Sequence, residues 1–188
     1  IPTVGPGKLR HREDTKLYGT DNEKNLFGPQ DPFYLKLGNE FALAGVGVNV
    51  FFFPSQYIDA ASIGYMAAQS GGQVFFHPRF DPVRDGSRVM AEVQRIVLRE
   101  TAYNVTLRIR CSPGLRVVKQ FGEFHLHGAT DIETGTWDAD KTFSALIRHD
   151  GRLEESREAY FQCAILYTTA TGERRVRCHT LATPVSSV

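Results

Sequence analysis

The sequence predicts an α+β chain in which an α/β segment precedes an antiparallel β-sandwich. Before residue 101, apolar residues recur at helical spacing, and two apolar runs flank a segment of helix length. From Tyr103 onward the apolar period switches to two, which is typical of strands with one solvated face. Two parallel strands and three helices would leave an open sheet edge. We therefore expect the chain to be a fragment of a longer multidomain protein.

The predicted α/β part covers residues 1–101. Its first 30 residues are rich in Gly, Pro and charge and lack periodicity, which predicts an irregular arm or a long surface loop. Asp31 and Pro32 form an N-cap followed by a proline at the first helical position. The predicted helices cover residues 31–45, 58–69 and 87–100, and the predicted strands cover residues 46–53 and 73–77.

The predicted β-sandwich covers residues 102–188. Alternating apolar and polar residues predict strands that are separated by Gly, Pro, Asp and Ser at the turns. The predicted strands are residues 103–110, 115–119, 123–127, 142–149, 160–169 and 173–183.

Composition limits the function classes. Among 188 residues, 22 basic side chains nearly balance 21 acidic ones, so a broad nucleic-acid interface is not expected. The apolar run 46–53 is much shorter than the roughly 20 residues of a membrane helix. Three cysteines without C-x-x-C spacing indicate packed, reduced thiols and favour a cytoplasmic location.

Two pairs of side chains resemble metal-binding patterns. His125 and His127 lie on one face of a predicted strand, but the spacing places no third ligand near them. Asp138 and Asp140 are interpreted as parts of a solvated turn beside Trp137. We predict no metal site in this chain. A metal-dependent hydrolase using the two histidines and an aspartate remains the alternative.

Two further patterns resemble catalytic motifs. Cys178 and His179 are adjacent on a predicted strand and point to opposite faces, so they cannot act as a nucleophile and its base. Gly45 and Gly47 lack the third glycine of a dinucleotide fingerprint and precede a strand, which indicates a helix end. We predict no catalytic residue and no enzymatic activity.

Four arginines form two predicted strand-face pairs, Arg108 with Arg110 and Arg175 with Arg177. Guanidinium groups suit carboxylates, so these pairs could bind an acidic signal or an anionic membrane surface. The alternative is a solvated sheet face, or internal ion pairs with the cluster of Glu154, Glu155 and Glu158.

The segment from Tyr160 to Pro184 reads as two strands joined by a turn at residues 170–172. It resembles a signature of the cargo-binding large subunit of the COPII inner coat. Similar segments run along the chain at residues 29–34, 50–57, 71–78, 99–101, 108–116 and 138–141.

This resemblance implies the C-terminal part of a von Willebrand A-like trunk followed by a β-sandwich. In the family, a preceding zinc finger holds zinc and carries acid-binding arginines, so no cofactor is expected in this chain. The family uses an apolar residue of the strand containing Leu166 and Tyr167 in a pocket for peptide signals. With the two arginine pairs, which come from strand-face parity, the candidate cargo-binding residues are Leu166, Tyr167, Arg175, Arg177, Arg108 and Arg110.

The resemblance also implies a cellular role. The family binds sorting signals of membrane cargo and fusion proteins for transport from the endoplasmic reticulum to the Golgi. Its implied partners are the GTPase-activating coat subunit, the small GTPase of the coat and, peripherally, the membrane surface. The implied location is cytoplasmic, on endoplasmic reticulum membranes and COPII vesicles. A purely structural spacer in the coat is a second alternative.

Overall fold

The computed structural model describes residues 2–12, 14–128, 130–155 and 157–186. The helices are α1 (Pro32–Leu43), α2 (Ala60–Ile63), α3 (Tyr65–Ser70) and α4 (Pro82–Leu98), preceded by 3₁₀ turns at Thr15–Leu17 and Glu23–Leu26. The strands are β1 (Val50–Phe52), β2 (Val74–Phe76), β3 (Thr101–Cys111), β4 (Leu115–Phe121), β5 (His125–His127), β6 (Asp131–Asp138), β7 (Ser144–His149), β8 (Glu158–Thr168) and β9 (Arg174–Pro184). The predicted succession of an α/β part and an antiparallel β part is confirmed.

Helix α1 begins and ends where local chemistry predicts. The Asp31 side chain accepts a hydrogen bond from the Phe33 amide at 2.9 Å, and Pro32 occupies the first turn. Beyond the helix, Gly45 adopts φ +73°, a left-handed conformation that closes helices. The interpretation of Gly45 as a helix end is confirmed.

Helix α4 begins five residues earlier than predicted. The Asp81 side chain accepts hydrogen bonds from the amides of Val83 and Arg84, both at 2.9 Å, and Pro82 starts the helix. This is the Asp-Pro signature that correctly places α1. No residue of α4 is buried, and its apolar side chains Met90 and Val97 are 59% and 73% exposed.

Strands β1 and β2 pair in parallel, which confirms the predicted βαβ unit. The first strand is shorter than predicted, because only residues 50–52 meet partners on β2. The predicted helix at residues 58–69 is divided at Gly64 into α2 and α3.

The irregular segment before α1 is a loop packed against the α/β part. Leu9 is 2% exposed, and the Tyr34 hydroxyl donates to the Gly7 carbonyl at 2.5 Å. Arg12 pairs with Asp59 at 2.6 Å. The segment is therefore a surface loop and not a solvated arm.

The β part consists of a five-stranded sheet, ordered β5-β6-β3-β8-β9, and a two-stranded sheet of β4 and β7. Leu107 and Ile132 form the centre of the core with Phe124. Strand β6 was not predicted, although Ile132 and Thr134 point inward and alternate with Asp131 and Glu133.

The two parts meet at β6. Thr136 donates its hydroxyl proton to the Gly71 carbonyl at 3.1 Å, and Lys141 donates to the Gly72 carbonyl at 2.8 Å. Asp138 is 5% exposed and pairs with Arg99 at 2.9 Å. The interpretation of Asp138 as part of a solvated turn is therefore wrong, because its carboxylate neutralises a guanidinium at the junction.

Within the described part of the chain, no helix has both the length and the apolar character required to span a membrane.

Candidate functional site

The six candidate cargo-binding residues lie on two opposite faces of the five-stranded sheet. We call the face that carries Leu107 and Ile132 the inner face and the opposite one the outer face. Tyr167, Arg175 and Arg177 belong to the inner-face side, because Ile165 on the same strand pairs with Leu107. The outer face carries Leu166, Arg108 and Arg110. The structure thus divides the candidates into two groups.

The inner-face group is compact. Tyr167 is the cross-strand partner of Arg175, and Arg177 is the partner of Ile165, so Arg177 lies one diagonal from Tyr167. Every residue of β9 is exposed, including both arginines. A guanidinium and an aromatic ring are therefore neighbours on β8 and β9, whereas Ile165 beside them packs against the core.

The two inner-face arginines differ in their partners. Arg175 forms a hydrogen-bonded ion pair with Glu173, and this bond raises the pKa of the guanidinium further. The Arg177 guanidinium makes no hydrogen bond or ion pair with any described residue. Arg177 is therefore the cation of this group that is free to bind an external carboxylate.

The outer-face group is more dispersed. Arg108 is held by Asp131 through paired hydrogen bonds, and the same bonds lower the pKa of the Asp131 carboxyl. Arg110 has no partner in the described part of the chain, but it pairs in register with Gln162, four residues from Leu166 along β8. That offset corresponds to about 13 Å along a strand. Leu166 and the free guanidinium of Arg110 therefore do not form one small pocket.

Internal ion pairs, the alternative role for these arginines, do occur, but not with the glutamates that the sequence suggested. Arg108 and Arg175 do form internal pairs, but with Asp131 and Glu173. In the acidic segment 154–158, Glu154 pairs with Arg157 instead, and Glu158 accepts a hydrogen bond from the Tyr160 hydroxyl at 2.6 Å. Asp131 reaches Arg108 across the β3–β6 pairing, whereas Glu173 lies only two residues before Arg175 along the chain.

The histidine pair has a third neighbour that spacing did not reveal. His125 is the cross-strand partner of Glu133, and His127 lies two residues along the same face. The ligand atoms of all three side chains lie within 4.8 Å of one another. Glu133 was not predicted as a ligand because strand β6 was not predicted. The alternation of Ile132, Glu133 and Thr134 is nevertheless a strand signal.

The prediction of packed cysteines is wrong for Cys178, which lies exposed on β9, whereas Cys111 and Cys163 are half-buried. Cys178 pairs in register with Ala164, and His179 pairs with Cys163, so the adjacent Cys178 and His179 face opposite sides of the sheet. Burial raises the pKa of the Cys163 thiol, which keeps it protonated. All three cysteines are free thiols.

Comparison with known families matches both parts of the chain. A family model described as the Sec23/Sec24 trunk domain matches residues 1–97, and one described as the Sec23/Sec24 beta-sandwich domain matches residues 102–186. The two matches adjoin at the point where the apolar period changes.

Individual relatives agree with these family matches. Protein transport protein Sec24C of Homo sapiens is 40% identical over 177 residues, which are 94% of this chain and 16% of that protein. Protein transport protein SEC24 A of Arabidopsis thaliana is 37% identical over 98% of this chain and 18% of its own length. The chain thus spans less than a fifth of these relatives.

A solved structure agrees as well. The crystal structure of the human COPII-coat protein Sec24c superposes with a TM-score of 0.92 at 39% identity, over 95% of this chain and 24% of that chain. The resemblance to the cargo-binding coat subunit is confirmed by these Sec24 relatives. By its trunk and β-sandwich segments together, the chain belongs to the Sec23/Sec24 family.

Proposed function

We propose that this chain is part of a COPII coat subunit that selects membrane cargo for transport from the endoplasmic reticulum to the Golgi. The observation that carries the proposal is the superposition of both parts on the human COPII-coat protein Sec24c, with a TM-score of 0.92. Selection proceeds by binding short cytosolic sorting signals. Each contact is shallow and weak, and many coat subunits engaged together supply the avidity that one small site lacks.

The inner-face group is the better candidate for the signal-binding site. Arg177 offers an unoccupied guanidinium, and Tyr167 and Ile165 are its neighbours in strand register. An acidic signal can place a carboxylate on Arg177 and an apolar side chain on Tyr167. On the outer face, Arg108 is already occupied by Asp131, and the free Arg110 lies far from Leu166.

The test compares matched arginine substitutions on the two faces. We expect Arg177→Ala to weaken binding of an acidic, leucine-bearing peptide about 10- to 100-fold, because a hydrogen bond to a charged group is lost. Arg110→Ala removes an equally free guanidinium from the outer face and is expected to leave the affinity unchanged. Titration calorimetry with the intact protein measures both.

Other outcomes assign the site differently. If Arg110→Ala and Leu166→Trp weaken binding while Arg177→Ala does not, the signal binds the outer face. If neither face matters and the substitutions lower only the free energy of unfolding, the residues serve a structural spacer.

Coat assembly is the second part of the proposal. The subunit pairs with the GTPase-activating coat subunit through its trunk, and it meets the small GTPase and the membrane surface peripherally. Membership of a vesicle coat is supported by the Sec24 relatives. A pull-down of the GTPase-activating subunit with the intact protein at physiological salt tests the pairing. Stoichiometric capture supports it, and absence of capture by a folded protein contradicts it.

The proposal assigns no enzymatic activity and no nucleic-acid partner to the chain. Binding at an exposed strand requires no nucleophile, and the nearly balanced charge provides no broad basic surface. The proposed location is the cytoplasmic side of endoplasmic reticulum membranes and COPII vesicles, where cytosolic sorting signals are displayed.

A further inference from the structure

Two imidazoles and one carboxylate converge on the outer face at the edge strand β5. His125 and Glu133 are cross-strand partners, and His127 projects from the same face of β5. Their potential ligand atoms all lie within 4.8 Å of one another. Strand pairing thus assembles three nitrogen and oxygen ligands that are separated by up to eight residues in the sequence.

One carboxylate oxygen of Glu133 lacks a hydrogen-bond donor among the described residues. Its Oε2 atom is shielded from solvent and accepts no hydrogen bond from a described residue. The Nδ1 atom of His127 lies 3.5 Å from Oε2, which is too far for a good hydrogen bond. A buried carboxylate oxygen without a donor is costly, so a cation at this point would stabilise the arrangement.

The neighbouring charges leave Glu133 available. Asp131, the cross-strand partner of His127, is already engaged by Arg108. The Asp131 and Arg108 charges cancel, so Glu133 supplies the net negative charge beside two imidazoles. This combination attracts a divalent cation and does not repel it.

We propose that His125, His127 and Glu133 form a three-ligand site for a divalent transition metal, with zinc as the first candidate. Zinc binds imidazole nitrogen and carboxylate oxygen at about 2.0–2.2 Å, and three protein ligands leave a fourth tetrahedral position open. Tetrahedral bonds of that length place ligand atoms roughly 3.4 Å apart. The present separations of up to 4.8 Å must therefore shorten by side-chain rotation when the ion binds.

The ligand chemistry distinguishes among metals. Calcium and magnesium require mostly oxygen ligands, and this cluster offers one carboxylate. Imidazole nitrogen favours zinc, copper, nickel and iron. The His127 side chain is 63% exposed, so an ion can enter the site from solvent and water can fill the fourth position.

The test is the difference in metal content between the intact protein and variants of the cluster. Zinc bound elsewhere in a longer protein is present in the parent and in every variant, so it does not affect the difference in zinc content between them. We expect the parent to bind one more Zn²⁺ per chain than His127→Ala or Glu133→Gln in competition with a chromophoric chelator. His149→Ala removes an exposed histidine outside the cluster and is expected to retain the ion.

Cobalt substitution supplies a spectroscopic readout independent of any activity. Co²⁺ in a tetrahedral nitrogen and oxygen site gives intense visible d–d bands, whereas hydrated octahedral Co²⁺ gives weak ones. We expect these bands in the parent and not in His127→Ala. The far-UV circular dichroism of this variant checks that it is folded. Equal zinc content and equal cobalt spectra in the parent and both variants would overturn the proposal.

Discussion

Arg99 and Asp138 form a buried ion pair between the residue that follows α4 and the last residue of β6. The Arg99 Nη2 to Asp138 Oδ2 distance is 2.9 Å, and the two side chains are 11% and 3% exposed. Asp140 provides a second, longer contact to Arg99 at 3.3 Å. The pair joins the α/β part to the sandwich by charge at a point that excludes water.

Asp138→Asn tests the contribution of this pair. The asparagine keeps the side-chain oxygen that accepts from the Asp140 amide, but it leaves the Arg99 guanidinium buried without its main counter-ion. We expect the free energy of unfolding to fall by about 3–5 kcal/mol, the usual cost of breaking a buried pair. Urea unfolding followed by circular dichroism measures it.

Asp150→Asn is the matched control. The same exchange there removes an exposed carboxylate that lies 3.3 Å from Arg116. Exposed pairs contribute at most about 1 kcal/mol, so this variant is expected to resemble the parent. Equal losses for the two variants would show that Asp138 and Arg99 contribute no more than a surface pair.

The crowding around Gly71 predicts a second stability difference. Gly71 caps α3 with φ +80°, and a side chain there would collide with the Thr134 hydroxyl and the Thr136 carbonyl. Gly172, in the β8–β9 turn, has φ +89° and open space around it. Both alanine variants incur about 1–2 kcal/mol of backbone strain, and only Gly71→Ala adds roughly 1–3 kcal/mol of overpacking.

Urea midpoints of the two alanine variants separate these effects. Because the backbone strain is common to both, the difference between Gly71→Ala and Gly172→Ala reports the steric contact between the end of α3 and β6. Identical midpoints would mean that the contact between α3 and β6 accommodates the extra methyl group with no loss in the free energy of unfolding.

Elements with strong local signals were predictable from the sequence. Asp31 and Gly45 bracket α1, and the alternation in β3 and β8 places these strands correctly. The residues around β6 contain polar Thr134 and Thr136 at inward positions and Gly135 between them, so their hydrophobic alternation is weak. The strand is stabilised by its pairing with β3 and β5, which local propensity does not report.

The candidate site shows the same limit more sharply. Period two assigns Arg175 and Arg177 to one face, and the structure agrees. Whether Arg108 is free depends on Asp131, which lies 23 residues away and reaches it only through the β3–β6 register. The sequence was enough to predict which side chains share a strand face. It was not enough to predict which acidic residue pairs with each arginine.

The three free thiols are expected to differ in reactivity. Cys178 is exposed, whereas burial raises the pKa of Cys163 and lowers its thiolate fraction. We expect iodoacetamide at neutral pH to modify Cys178 about tenfold or more faster than Cys163. Mass spectrometry of timed digests measures the rates, and Cys178→Ser should remove the fast phase. A fast phase that persists in this variant would contradict the burial argument.

The Arg108–Asp131 pair predicts a stability difference that depends on pH. Hydrogen bonds from Arg108 lower the pKa of Asp131 in the folded protein. A depressed carboxyl pKa stabilises the fold above the unfolded value of about 3.9, and this contribution is lost as the pH falls through the lower folded value. Asp131→Asn should therefore be less stable than the parent at pH 6. The difference should shrink once the pH falls below about 4, where the carboxyl of the unfolded parent begins to bind its proton. It should vanish below the lower pKa of the folded parent.

Urea midpoints of the parent and Asp131→Asn across this pH range measure the effect. Asp21→Asn replaces an exposed aspartate that makes no hydrogen bond or ion pair with a described residue, and it should leave the midpoint at pH 6 unchanged. High salt should reduce the Asp131 effect only partly, because Asp131 is 19% exposed while Arg108 is 45% exposed. A stability difference that is the same at pH 6 and in acid would show that Asp131 acts by packing and not by its charge.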